Sequence, residues 1–207
     1  MITSETPALA PTIEHFIEGR GILVFDGFLD EEVVEALALL MMKMPYQRKA
    51  SFDNELWCLL PDEIYTQIPE LPETLDRLAS SRQSEICRRA SVQQRSHQYC
   101  ASLRYGDQTH AHQDVQCEDC VTFLLYTNIH WESAWGGETR FYDEHQDTRV
   151  AVCPRPGRLV MFSAALWHRT GVPDRDCPVS RQAMSIFYRC PAQLAGAHRP
   201  GTGPTAS

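Results

Sequence analysis

From Gly21 the chain runs through an apolar stretch, Gly21, Ile22, Leu23, Val24 and Phe25, closed by Asp26 and Gly27, which reads as a strand ending in a turn. Beyond it the period changes. Val33, Leu37, Leu40, Met41 and Met44 recur at helical spacing, Asp30 stands at the N-cap position, and Glu31 and Glu32 suit the positive end of the helix dipole; Pro45 ends the pattern. The Met and Leu stripe is core packing. Residues 45–71 follow neither period. Their aromatics Tyr46, Phe52, Trp57 and Tyr65 stand among polar residues and prolines, predicting an irregular surface segment able to close over a site. A second helix is predicted to begin after Pro72, with Thr74, Leu75, Leu78 and Ala79 on one face, and to run to about Ala90.

After Ser96 the texture becomes short β-rich runs punctuated by Gly and Pro. Strands are predicted over 99–105, 121–126, 138–142, 149–153, 158–162, 171–172 and 181–188, with turns at Gly136 and Gly137, at 154–157 and at 173–176. The expected fold class is mainly β with N-terminal helices (α+β), its strands closing into a sandwich or barrel. No internal repeat or long linker interrupts the chain. One domain is expected over 13–191, its β core at about 97–190, between a flexible N-terminus (1–12) and a disordered tail (192–207) rich in Gly, Pro, Ala and Thr.

The composition of the 207 residues, 43% apolar and 22% charged, is that of a soluble globular protein. Nineteen basic against 27 acidic residues give a net charge of −8, which repels a phosphate backbone, so no nucleic-acid partner is expected. Residues 1–11 lack the basic and apolar regions of a secretion signal. The longest apolar run, 33–44, carries Glu35 and Lys43 and is too short to span a bilayer; cytoplasmic residence without a membrane partner is expected. The eight cysteines then read as reduced thiols. Cys117 and Cys120 have CxxC spacing, but no second pair completes a tetrahedral zinc site.

The chemistry centres on His112, Gln113 and Asp114. A histidine and a carboxylate two positions apart project from one face of a strand and can bind one ion together. His168 follows 56 positions later, at the end of the largely apolar run 159–167, and a barrel can bring such strand ends together. Two histidines and one carboxylate cap one face of an octahedron and leave the other positions open, the arrangement suited to iron(II) that must also take an organic ligand and O₂. His110, His97 and His130 are left as bystanders; Trp131, Trp135 and Trp167 are candidates to line a pocket.

Several landmarks stand in order along the chain: Gly106 six residues before His112; then His112, Gln113 and Asp114; Val121 to Asn128 (VTFLLYTN); Trp135 to Thr139 (WGGET); Pro156 to Phe162 (PGRLVMF); His168; and Arg181 opening the last strand. In this order they resemble the 2-oxoglutarate/iron(II)-dependent oxygenases of the prolyl-4-hydroxylase-like group, over about 103–188 with a weaker echo in 21–40. The resemblance implies a double-stranded β-helix (jelly-roll) core with N-terminal helices, His112, Asp114 and His168 as iron ligands and catalytic centre, and the cofactors Fe(II), 2-oxoglutarate as co-substrate and O₂. It also implies that Arg181 and Tyr126 hold the distal carboxylate of 2-oxoglutarate, a task for which a planar guanidinium is suited. His168 and Arg181 lie thirteen residues apart where the group commonly has nine or ten, so Arg175 competes for the role. The group's frequent tyrosine three residues before the glycine is Leu103 here, with Tyr105 next to Gly106.

By that resemblance the chain is a dioxygenase that hydroxylates an unactivated carbon of a small-molecule or amino-acid-type substrate in biosynthesis. Two alternatives stay open: a protein hydroxylase of the prolyl type, and a non-catalytic metal- or ligand-binding β-barrel. Retention of Asp114 disfavours halogenation.

Overall fold

The computed structural model describes residues 10–48, 56–59, 62–81, 87 and 94–189. Eleven strands and three α-helices are assigned among them: β1 (Ile13–Ile17), β2 (Arg20–Phe25), α1 (Glu31–Lys43), β3 (Gln47–Arg48), β4 (Leu56–Leu59), α2 (Asp62–Gln67), α3 (Glu70–Ala79), β5 (Gln94–Leu103), β6 (Val121–Tyr126), β7 (Thr139–Tyr142), β8 (Thr148–Val152), β9 (Leu159–Ser163), β10 (His168–Arg169) and β11 (Arg181–Arg189). They form an eight-stranded sheet in the order β1-β2-β9-β6-β11-β5-β4-β3 and a three-stranded sheet in the order β10-β7-β8. All pairings are antiparallel.

Alternation along the central strands explains the layering. Phe123 and Leu125 of β6, Met161 of β9, and Met184 and Ile186 of β11 face one way and bury α1, α2 and α3 through Leu37, Met41, Ile64, Leu71 and Leu75. Leu124, Tyr126, Val160, Phe162 and Ala183 face the other way and meet Phe141 and Val152 of the small sheet. Strands covered on both faces read as nearly continuous apolar runs, which is why β6 (VTFLLY) and β9 (LVMFS) were visible in the sequence.

Other segments correct the expectations. The hairpin of β1 with β2 was not anticipated: Phe16 is exposed and the alternation of β1 is weak, and its turn is made by Glu18 and Gly19, both at positive φ. The segment 45–71 is not wholly irregular. It contributes β3 and β4, whose Trp57 pairs in register with Ala101, and then α2. The Trp57 side chain lies outside the described residues, so the expected closure over the site rests on the sequence alone. α3 starts at Glu70 rather than after Pro72, because a proline in the first turn forfeits no intrahelical bond, and it ends at Ala79 rather than near Ala90. β5 begins five residues upstream of the predicted strand. The strand expected at 171–172 is replaced by β10, since Gly171 lies so close to the Glu138 backbone that a Cβ would sit 2.3 Å from its carbonyl oxygen. Apart from 10–12, the two tails fall outside the described residues.

The turn after β2 is tied to β9 by Arg158, which is buried and donates from Nε and one terminal nitrogen to the two Asp26 oxygens at 2.6 and 2.9 Å. Hydrogen bonding from Arg158, opposed by burial, holds the Asp26 carboxyl below its ordinary value of 3.8. A depressed folded-state pKa adds stability that is fully present above the unfolded value and is lost as pH falls through the folded one. Asp26→Asn is therefore expected to destabilise the protein by about 2 kcal/mol near neutrality, leaving a buried guanidinium short of acceptors. Chemical denaturation across pH should show that gap narrowing below about pH 4; a gap independent of pH would contradict the ion pair.

No helix among the described residues is long and apolar enough to cross a membrane. None of Cys87, Cys100, Cys117, Cys120, Cys153 and Cys177 is in a disulfide.

Candidate metal centre and its buried arginine

His112 does not lie on a regular strand, as the HxD spacing had suggested. It follows β5 in a loop that runs beside residues 163–168, and it forms an isolated bridge with His168: each backbone N–H donates to the other's carbonyl at 2.9 Å. Val115 extends this pairing by donating to the Ala164 carbonyl. The bridge fixes the two histidines opposite one another across 56 residues of chain, with ring centroids 4.5 Å apart.

Ligand atoms of His112, Asp114 and His168 all lie within 4.8 Å of one another. Asp114 Oδ1 stands 3.6 Å from His112 Nε2 and 3.7 Å from His168 Nε2. Hydrogen bonds behind the cluster orient all three. His112 Nδ1 donates to the His110 carbonyl at 3.0 Å and His168 Nδ1 to the Leu166 carbonyl at 2.9 Å, which leaves each Nε2 lone pair directed at the cluster. Thr122 of β6 donates to Asp114 Oδ2 at 2.5 Å and so leaves Oδ1 for an ion. The His168 ring is wedged edge to face against Phe162, 4.8 Å between centroids.

The electrostatics match the geometry. Burial raises the Asp114 carboxyl, but His168, the hydrogen bonds from His112 and Thr122, and the His112 field together hold it below its ordinary range. Burial lowers the His168 imidazole, against the pull of Asp114. A carboxylate beside a neutral imidazole is the protonation state that binds a divalent ion. The donor set, two imidazoles and one carboxylate, fits iron(II) with open positions.

A second feature lies along β11. Arg181 is fully buried; its Nε donates to the Gly137 carbonyl at 2.8 Å and a terminal nitrogen to Thr139 Oγ1 at 3.0 Å. Its guanidinium carbon lies 5.0 Å from the centre of the Tyr126 ring, and the Tyr126 hydroxyl shares a 2.7 Å hydrogen bond with the same Thr139 oxygen. Burial raises the Tyr126 pKa, opposed by Arg181, so the phenol stays protonated and able to donate. Among the described residues no carboxylate pairs with Arg181. A buried guanidinium held by neutral acceptors alone is costly, and a carboxylate ligand would offset that cost. Gly137 shapes this pocket: at φ +77° it turns its carbonyl to Arg181, and a Cβ there would stand 2.9 Å from the Trp131 ring and 3.4 Å from Arg181 Cδ.

The rival Arg175 is exposed in the loop before β11, and Tyr105 is exposed at the surface. Of the tryptophans, Trp131 packs behind the Gly136 and Gly137 turn, donating to the Gly136 carbonyl at 3.0 Å. Two site residues went unassigned in the sequence reading, Thr122 and Thr139. The signal for Thr122 was present: it is a polar residue in an apolar strand, on the same alternating face as Tyr126.

The two sheets thus bring together two histidines and a carboxylate, and bury an arginine that no carboxylate among the described residues pairs with. Residues 100–189 match the model of the 2OG-Fe(II) oxygenase superfamily. Over 82 residues it is 34% identical to a hypoxia-inducible factor prolyl hydroxylase of Caenorhabditis elegans, a match that takes in 38% of this chain and 11% of that protein. Among solved structures it is similar to a Trichoplax adhaerens prolyl hydroxylase in complex with a peptide of the hypoxia inducible factor oxygen degradation domain, with TM-score 0.66, 18% identity, and coverage of 86% of this chain and 87% of that one. It is also similar to SnoN, a non-haem α-ketoglutarate-dependent epimerase from nogalamycin biosynthesis, with TM-score 0.62, 17% identity, and coverage of 90% and 88%. These findings bear out the family recognised in the sequence, the double-stranded β-helix core, the dioxygenase class and the cofactors Fe(II), 2-oxoglutarate and O₂.

Proposed function

We propose that the chain hydroxylates an unactivated carbon of a small-molecule or amino-acid-type substrate, with His112, Asp114 and His168 as the iron(II) ligands and Arg181 as the anchor of 2-oxoglutarate. The observation that carries this reading is the pairing of a preoriented His/Asp/His cluster with a fully buried arginine that has no carboxylate partner among the described residues. When bound, iron(II) with 2-oxoglutarate and O₂ supplies the oxidation: one oxygen atom enters the substrate C–H bond as hydroxyl, the other enters succinate, and CO₂ leaves.

The chain's own residues have separate tasks. Leu166 and His110 carbonyls hold the histidine tautomers, and Thr122 holds the carboxylate. Arg181, with Thr139 and the Tyr126 hydroxyl beside it, receives the distal carboxylate of the co-substrate. Phe162 and Phe141 cover His168 and keep water from its far side.

A second reading, hydroxylation of prolyl residues in a protein, is favoured by the 34% identity, over 82 residues, to a prolyl hydroxylase. A turnover screen separates the two. Free amino acids and proline-bearing peptides are each supplied with iron(II), 2-oxoglutarate and O₂, and succinate is read alongside a one-oxygen mass gain. Hydroxylated free acids support the first reading and hydroxylated peptides the second. Absence of any protein-dependent succinate would overturn both.

A further inference from the structure

β11 carries a second arginine on the same face as Arg181. Arg181, Ala183, Ser185, Phe187 and Arg189 alternate onto one side of the strand, and the irregularity in the pairing with β5 leaves the alternation of β11 intact. The iron cluster lies between the two arginines in register: Tyr126 pairs with Ala183, whereas Thr122, which holds Asp114, pairs with Phe187. Arg189 thus stands one step beyond the level of Asp114, on the side away from Arg181, about 26 Å along the strand from it.

This second arginine is built into its position. It is 8% exposed, its guanidinium carbon lies 5.0 Å from the centre of the Phe187 ring, and one terminal nitrogen is buried with no hydrogen-bond partner. The other face of the Phe187 environment is taken by His97 of β5, stacked at 4.1 Å and 9° between planes, with Tyr99 at 5.7 Å. Among the described residues no carboxylate pairs with Arg189. Burial, then the charge of Arg189, lowers the His97 pKa while Asp114 raises it, which places His97 within the field of both. A surface arginine would satisfy its donors in water; this one leaves a donor unmet under protein beside the reaction centre.

Resting on the oxygenase reading, we infer that Arg189, held on Phe187, is the anion subsite of the primary substrate, which carries a free carboxylate. One arginine then takes the carboxylate of the co-substrate and the other that of the compound to be hydroxylated, with the metal between them. A guanidinium recognises a carboxylate bidentately, so the subsite also orients the carbon skeleton toward the cluster. This selects free carboxylic acids of amino-acid type over internal peptide residues, whose carboxyl is consumed in an amide.

The test uses the full chain loaded with manganese(II) and 2-oxoglutarate without O₂, and a panel of free α-amino acids, L-proline among them, each beside its carboxamide. Binding is read by calorimetry and by thermal shift. At least one free acid should bind about tenfold or more tighter than its amide, and Arg189→Gln should erase that preference while 2-oxoglutarate affinity stays within about twofold. Arg189→Lys, which keeps the charge and the stem but not the planar fork, should restore part of it. Melting temperatures without ligand show whether each variant is folded, and the Lys variant keeps the test valid if the Gln variant is not. Equal binding of acids and amides, binding of amides or blocked peptides alone, no binding of any free acid, or a preference that survives Arg189→Gln overturns the assignment. Failure of the oxygenase reading looks different: it appears as loss of metal-dependent 2-oxoglutarate binding in the unaltered protein.

Discussion

His168→Ala is expected to abolish tight iron(II) binding, and turnover with it. His168 is one of the three residues proposed to hold the metal, and it is the buried one of the two imidazoles: its side chain is 7% exposed against 44% for His112. Nothing near it can substitute, because the ring is fixed between Phe162, Phe141 and the Leu166 carbonyl, and among the described residues no other His/Cys/Asp/Glu side chain completes the cluster. A graded series makes the expectation quantitative. Thr122→Val deletes the hydrogen bond to Asp114 Oδ2 while nearly conserving shape, and a change of that kind beside a ligand costs roughly 10- to 100-fold in metal affinity. The His168 loss should exceed it. Equilibrium dialysis of iron(II) without O₂ gives both numbers, and a His168→Ala protein that binds iron as the unaltered chain does would remove His168 from the site.

Arg181→Gln is expected to weaken 2-oxoglutarate binding by about 3 kcal/mol, roughly 150-fold, because on the proposed function it removes the charged, bidentate partner of the distal carboxylate from a fully buried position. Iron affinity should change little, since Arg181 contacts Gly137 and Thr139 rather than the cluster. The stabilisation that 2-oxoglutarate gives against heat should shrink in step with its affinity. Arg175→Ala should leave the affinity unchanged, as that side chain lies in the exposed loop before β11. Loss in the Arg175 variant with none in the Arg181 variant would reverse the assignment.

The sequence disclosed those parts of the fold whose chemistry is local or ordered. The HxD pair, the VTFLLYTN stretch and the Gly136 and Gly137 turn appear in the order in which the sheets use them, and β6 and β9, buried on both faces, announce themselves as nearly unbroken apolar runs. What was hidden depended on pairing at a distance. β3 and β4 are edge additions to β5 and have no pattern of their own, and β1 is legible only through its partner β2. The HxD residues were expected on a strand, yet their geometry is set by a bridge to His168. Thr139 acts by accepting from Arg181 while bonded to Tyr126, a relation no spacing could show. Likewise Arg189 reads in the sequence as a basic residue ending a strand; only burial, the Phe187 ring beneath it and the unmet donor distinguish it.

The most direct measurement for the account is a calorimetric titration of 2-oxoglutarate, without O₂, into the chain with and without iron(II). The account predicts one 2-oxoglutarate per chain bound tightly only when iron is present, with that metal-dependent step absent from His168→Ala and much weakened in Arg181→Gln. Binding of equal strength with and without iron, or an iron-dependent step that survives in both variants, would contradict it.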